Sequence, residues 1–205
     1  GQGIGEACEY LKFPVVSGNV SFYKQTKEIG IKPTPSIGGV GLIKDYKQMI
    51  TMDFKEINNL VLIIGKTEGH IDQSLFARNI LNEKNGPPPE INLFNERNNG
   101  ETVLQLIKGN LVRSAHDVSI GGIITAISKM CIKGNIGIEF DKPKYFMSEI
   151  EYLFSEDQGR YVLEIDRNNL EKVELQKELS ERSLKMRYEI QSVSYTHLRA
   201  HETPE

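Results

Sequence analysis

The sequence is short of almost every feature that would assign it to a specialised class. It has only two cysteines, Cys8 and Cys131, in 205 residues. Each stands in an apolar helical pattern with no second Cys or His at metal-ligand spacing, so both read as buried thiols rather than a disulfide or a zinc site. Long apolar runs are missing too. A stretch such as 60–64 is far below the roughly 20 residues a helix needs to cross a bilayer, and the first residues lack the charged start and hydrophobic middle of a signal peptide. Nor does one charge dominate: 25 Lys and Arg face 28 Asp and Glu, for a formal net charge of -3. With no basic block, nothing favours nucleic acid or an anionic membrane, although a nucleotide can still bind at a local site. A cytoplasmic globular protein is expected. Its length and 39% hydrophobic content permit one core-bearing domain and a smaller piece.

The ends lack the marks of a complete gene product. Gly1 opens directly into a helical pattern without an initiating methionine or an N-cap, which reads as a truncation. Residues 193–205 have neither helical nor strand periodicity, yet hold His197 and His201, two of the four histidines. They resemble a translated sequencing adapter, so 191–205 is set aside as a non-native tail, and with it any metal reading of the two histidines.

Between those ends, helical and strand patterns alternate. Ile4, Cys8 and Leu11, with Ala7 on the same side, predict a helix over 3–12 that packs on the strand after it. The β-branched 14–16 predict a short buried strand. Pro33 and Pro35 lead into a second strand over 36–43, whose Gly38, Gly39 and Gly41 read either as a bulge or as places of close backbone approach. Leu60 to Gly65 predicts a buried central strand that begins a new domain. A helix is expected over 74–81, an extended connection at 86–89, and a helix over 102–108 capped by Gly109-Asn110. A strand at 111–115 then precedes a helix opened by Gly121-Gly122, with Ile123, Ile127 and Met130 as its buried stripe. Further elements are a strand over 136–140, a helix over 145–153, a strand over 160–165 and a last helix capped by Asn168, with Leu170, Val173, Leu175 and Leu179. The fold class is α+β, with mixed α/β layers.

Three stretches carry chemistry. In Ser17-Gly18-Asn19-Val20-Ser21, Gly18 leaves backbone N–H groups open to a phosphate, Asn19 offers a neutral oxygen to a hard cation such as Mg²⁺, and Ser17 and Ser21 share one strand face. The same triplet is also an ordinary turn. His116-Asp117 stands at a strand end before the glycine-opened helix, a place that suits phosphate and metal, while Asp117 equally reads as a helix cap. Phe154-Ser155-Glu156-Asp157-Gln158-Gly159-Arg160 brings two carboxylates into a turn. They would hold a cation, or Glu156 and Arg160 would form a surface pair worth little. A dinucleotide fingerprint at Gly1, Gly3 and Gly5 is rejected, because no strand precedes those glycines.

Taken together, the passage from Gly5-Glu6-Ala7-Cys8 through Pro14-Val15-Val16-Ser17-Gly18-Asn19-Val20-Ser21 to Gly41, the run Ser114-Ala115-His116-Asp117-Val118-Ser119 with Gly121-Gly122, and 153–161 resemble phosphoribosylformylglycinamidine synthase. The likeness is to the small, stand-alone synthetase subunit of that ATP-dependent ligase of purine synthesis. It implies that 1–56 is the C-terminal part of an N-type domain resembling aminoimidazole ribotide synthase, and 57–190 a truncated C-type domain. It further implies that Gly18 touches ATP, Asn19 binds Mg²⁺ and Ser21 contacts formylglycinamide ribotide, with no catalytic residue on this stretch. The implied reaction has the substrate amide oxygen attack the γ-phosphate, after which ammonia displaces phosphate and leaves the amidine. No glutaminase nucleophile motif is visible, so a separate glutaminase subunit and a small bridging subunit are implied partners.

The sequence departs from the family pattern at Ile120, where Asp is usual, and at Asp157, which replaces a common Ser. Both belong to a second, non-catalytic nucleotide site in the resemblance. Two alternatives stand beside the ligase: a relative of the thiamine-phosphate kinase or selenophosphate synthetase type, and a non-catalytic regulatory or scaffolding module.

Overall fold

A computed structural model describes residues 2–19, 25–26, 29–30, 34–140, 147–176 and 198–201. These fall into two compact units, Gly1–Tyr46 and Lys47–Glu205.

In the first unit, helix α1 (Gln2–Tyr10) forms where the periodicity places it. Gln2 donates to the Glu6 carboxylate one turn on, at 2.8 Å. Lys12 then takes φ 55, and the Phe13 N–H closes back on the Cys8 carbonyl at 2.8 Å, which ends the helix in the left-handed manner common at C-termini. The apolar stripe is not buried, however. Cys8, expected inside, is half-buried, and so is Cys131 in the second unit. The unit also holds a short hairpin, β1 (Gln25–Thr26) with β2 (Ile29–Gly30). The strands expected at 14–16 and 36–43 are absent. Both stretches are irregular, with Val16 91% and Val40 101% exposed. β-branched residues favour a strand only when a neighbour pairs with it and a layer covers it, and the described residues supply neither. Close approach does occur at Gly39, where an added Cβ would stand 3.1 Å from the Phe13 ring.

The second unit is built on β3 (Leu60–Ile64), in which every residue is buried. Its neighbours are β6 (Arg160–Ile165) and β7 (Leu198–His201), and β4 (Ser114–Val118) and β5 (Gly137–Phe140) lie outside them, giving the order β4-β6-β3-β7-β5 with every pair antiparallel. The register sets Leu60 against Ile165 and Ile64 against Tyr161. Successive residues of a strand face opposite ways. Val61 and Ile63 therefore join Ile123, Ile127 and Met130 of α3 (Gly122–Gly134) and Tyr152 of α4 (Glu149–Phe154) in one core. Leu60, Leu62 and Ile64 join Val103 and Leu106 of α2 (Leu93–Lys108), together with Val173, in the other. Covering the sheet on both faces is what makes β3 apolar at every position. The mixed layering is thus the expected one.

Several boundaries differ from the expectation. Helix α2 starts at Leu93, where the Asn92 side chain accepts the Asn95 N–H at 3.0 Å. Its first turns are too polar to show an apolar period, so the cap, not the stripe, marks the start. Strand β4 lies three residues later than expected because its register with β6 pairs Ser114 with Glu164 and Val118 with Arg160. Residues 77–81 form a π-helical turn. Helix α4 starts at a Ser148–Glu151 capping box, and Tyr145 lies outside the described residues. Asp166, not Asn168, caps the last helical stretch by accepting the Asn168 N–H at 2.8 Å. Helix continues over 170–176, Leu175 is 58% exposed, and Leu179 lies outside the described residues. The segment 191–205, set aside as a tail, supplies β7, in which Leu198 and Arg199 pair with β3 and all four residues pair with β5. Ladder hydrogen bonds are made by the backbone and need no side-chain pattern, which is why periodicity did not reveal this strand. Among the described residues no helix is long and apolar enough to cross a membrane.

Candidate functional site

Two places hold the residues singled out by the sequence, one in each unit. In the first, Ser17, Gly18 and Asn19 are all exposed. Nothing lies within 4 Å of a Cβ added at Gly18, and Gly18 is not among the residues of positive φ. Its role is therefore not to permit a left-handed turn. What it offers is a bare backbone open to solvent. Asn19 follows it directly, and Ser21 lies outside the described residues. A shallow groove of about 420 Å³ lined by Cys8, Glu9, Lys12, Phe13, Pro14 and Val15 adjoins this stretch in the chain. Among the described residues no group of three His, Cys, Asp or Glu is placed to hold a metal ion. Asn19 can then contribute one oxygen to a cation, not a complete site. That fits Mg²⁺, which usually keeps waters and takes one or two protein oxygens beside those of a phosphate.

The second place is the end of the second unit where 117–122 meets 154–160. His116 and Asp117 are inside β4 rather than beyond it, so Asp117 does not cap α3, and its side chain is 66% exposed. His116 Nδ1 lies 2.7 Å from the Asp117 carbonyl. Helix α3 opens at Gly122 with Gly121 as its N-cap, the two glycines at φ 72 and 86. At Gly122 a Cβ would stand 2.6 Å from the carbonyl oxygens of Leu153 and Ser155, so the glycine is required both by conformation and by the chain passing over it. Ile120, where the family pattern has Asp, is 62% exposed and offers no acceptor.

The carboxylates of 154–160 do not form the surface pair that spacing allowed. Glu156 Oε1 accepts the N–H groups of Leu75 and Gly121 at 2.7 and 2.8 Å. Asp157, 5% exposed, accepts those of Glu68, Gly69 and His70. Arg160 is buried and faces Asp157, not Glu156. Burial pushes its guanidinium pKa down, and the Asp157 charge opposes that shift.

Sequence reading missed two further groups. Glu164 in β6 is fully buried. Its carboxylate accepts the N–H groups of Lys55 and Glu56, the Asn59 side-chain amide at 2.8 Å and the Ser114 hydroxyl at 2.7 Å. The visible signal was a lone Glu in an otherwise apolar strand. On the opposite face, burial raises the pKa of Glu96. Burial also raises that of Tyr161, followed by the charges of Glu96 and Asp117.

Residues 56–185 match the family described as AIR synthase related protein, C-terminal domain. The chain is 71% identical over 170 residues to phosphoribosylformylglycinamidine synthase subunit PurL of Pelagibacter ubique, covering 83% of this chain and 23% of that protein. An alignment of that length extends beyond 56–205 into the first unit. Among solved structures, T. maritima PurL complexed with FGAR gives a TM-score of 0.59 at 19% identity, over 76% of this chain and 26% of that one. T. maritima PurL complexed with ATP gives 0.56 at 16%, over 77% and 24%. At such identities these two show the fold. The chain spans about a quarter of the length of the curated relatives it matches.

Proposed function

Since this chain belongs to the AIR synthase related family, whose C-terminal domain its residues 56–185 match, we propose that it is part of a phosphoribosylformylglycinamidine synthase. In this reading the full-length protein is an ATP-dependent ligase of purine synthesis. It converts formylglycinamide ribotide and ammonia to the amidine, and the ammonia comes from a separate glutaminase subunit through a small bridging subunit. The 71% identity to the Pelagibacter subunit carries the proposal, because it takes in both units and favours the ligase over the kinase-like and scaffolding alternatives.

In this reading 1–56 is the end of an N-type domain and 57–190 a C-type domain; the family match begins at 56, inside the second compact unit. Gly18 would offer its bare backbone to ATP, Asn19 would supply an oxygen to the nucleotide's Mg²⁺, and Ser21 would contact formylglycinamide ribotide. The metal, when bound, neutralises phosphate charge. Such a reaction depends on positioning and on charge stabilisation of the transferred phosphoryl group, and an exposed glycine followed by an amide oxygen suits both.

A chimera tests this. The corresponding stretch of the Pelagibacter subunit is replaced by this chain, and amidine formation is followed with ATP, ammonia and formylglycinamide ribotide. Activity within about tenfold of the parent is expected. Asn19→Ala in the chimera is expected to lower it at least tenfold at limiting Mg²⁺, with no change in Tm, since an exposed side chain is removed. A folded but inactive chimera would refute the assignment, and an unchanged Mg²⁺ dependence would remove Asn19 from the site.

A further inference from the structure

Three consecutive backbone N–H groups converge on one side chain in the second unit. Glu68 and Gly69 donate to Asp157 Oδ2 at 2.9 and 3.1 Å, and His70 donates to Oδ1 at 3.1 Å. Gly69, at φ 82, supplies the left-handed step that lets successive amides point into one concavity, the arrangement with which a backbone binds phosphate and other oxyanions. A cation stands behind it. Arg160 Nη1 lies 3.6 Å from Asp157 Oδ2, and the side chains of both residues are almost wholly buried. The guanidinium is fixed in turn, donating to Thr67 Oγ1 at 3.1 Å, the Ser155 carbonyl at 2.7 Å and the Asp157 carbonyl at 3.2 Å. Glu156 treats the amino end of α3 in the same way, through Gly121 and Leu75. Both sets of amides that a phosphate would use at this end of the unit therefore hold a carboxylate of the same turn.

We propose that the amides of 68–70 and Arg160 form an oxyanion site whose resident anion is the chain's own Asp157, and that Glu156 closes the start of α3 likewise, so that this end of the unit takes no external phosphate. The site's chemistry is that of a small oxyanion receptor: three N–H donors, a buried monocation, and no apolar contact specific to one ligand. Asp157 is a positioning residue in this account, holding the 66–75 loop against 154–160. The inference is independent of the reaction assigned above.

The test vacates the site and refills it. In the 205-residue chain, Asp157→Ala leaves the amides and Arg160 in place and removes the anion. Loss of one partner from a buried charge pair should lower Tm by roughly 10 °C. Formate, acetate or inorganic phosphate should then restore it saturably, beyond sodium chloride at equal ionic strength, with amide NMR shifts at 68–70. The unaltered chain should show no such response. Asp157→Asn, which keeps the cavity filled by a neutral group, should be destabilised without recovering. If Asp157→Ala does not fold unaided, its refolding yield should rise severalfold with acetate. The proposal is overturned if anions restore Asp157→Ala no better than chloride does, if Asp157→Asn responds equally, if refolding yield is insensitive to acetate, or if the unaltered chain binds phosphate with the same amides shifted.

Discussion

Glu164 shows how one residue can set a local structure that no pattern announces. Its carboxylate is the only acceptor found among the described residues for the side-chain amide of Asn59 and the hydroxyl of Ser114, and it takes the Lys55 and Glu56 N–H groups as well. It thereby ties the approach to β3 onto β4 and β6. Glu164→Leu would leave the Asn59 and Ser114 side-chain donors buried without a partner, each at about 1–3 kcal/mol, and would strip two part-buried N–H groups of theirs. A loss of at least about 3 kcal/mol in chemical denaturation is expected, and Glu164→Gln, which keeps one oxygen, should lose less. Glu96 behaves in the opposite sense. Burial raises its pKa above the ordinary carboxylate value, so its protonated form is the one the fold favours. The associated stability is fully present below the unfolded-state pKa and is lost as pH rises through the higher folded-state value. Glu96→Gln is therefore expected to raise Tm at pH 7 and to leave it unchanged at pH 3.5, which paired melts at the two pH values will show.

At the scale of elements, apolar period decided what could be read. Strand β3 was legible because all five of its residues are apolar, and α3 because Ile123, Ile127 and Met130 recur at helical spacing and are buried. The start of α2 was not, since a polar, half-buried turn carries no stripe, and β4 was misplaced because Val112 belongs to the core without belonging to the strand. Strand β7 is the extreme case, a backbone partner whose side chains gave no pattern. Strand β7 nevertheless lies inside the sheet, between β3 and β5. Deleting 193–205 removes the backbone that joins β3 to β5 and should lower Tm measurably. Deletion from 166 onward, which also removes the buried Val173, should cost more, as the loss of a buried Val is worth about 1.5–3 kcal/mol before the rest of the helix is counted. Melting curves of the two truncations provide the comparison, and similar losses would show that Val173 adds little to what β7 supplies.

At the scale of the whole molecule, the two units differ in what they can hold alone. The second has two cores around one sheet, whereas the first has no buried residue among those described. The exposed Val15, Val16, Val40 and Leu42 belong to the unit that carries Gly18 and Asn19, and the family relatives are about four times as long as the stretch aligned. The proposed ligase chemistry accordingly belongs to the full-length protein. On that proposal, the groups this chain would contribute are the backbone at Gly18 and the amide oxygen of Asn19, with the sheet of the second unit beside them in sequence.

The sequence by itself determined the alternation of helices and strands, the buried central strand, the glycine-opened helix and the likeness to a ligase family. Each of these rests on short-range periodicity or on contiguous motifs, which survive in one dimension. Only the tertiary structure decided which partners the polar residues take. Spacing offers Glu156 as a partner to Arg160, four residues away, yet it bonds to Gly121 and Leu75, while Arg160 faces Asp157 and Glu164 collects donors more than a hundred positions upstream. A buried charge must be satisfied by whatever donors the fold brings to it, and those donors are here mostly backbone N–H groups, which every residue but proline carries and which no sequence pattern marks.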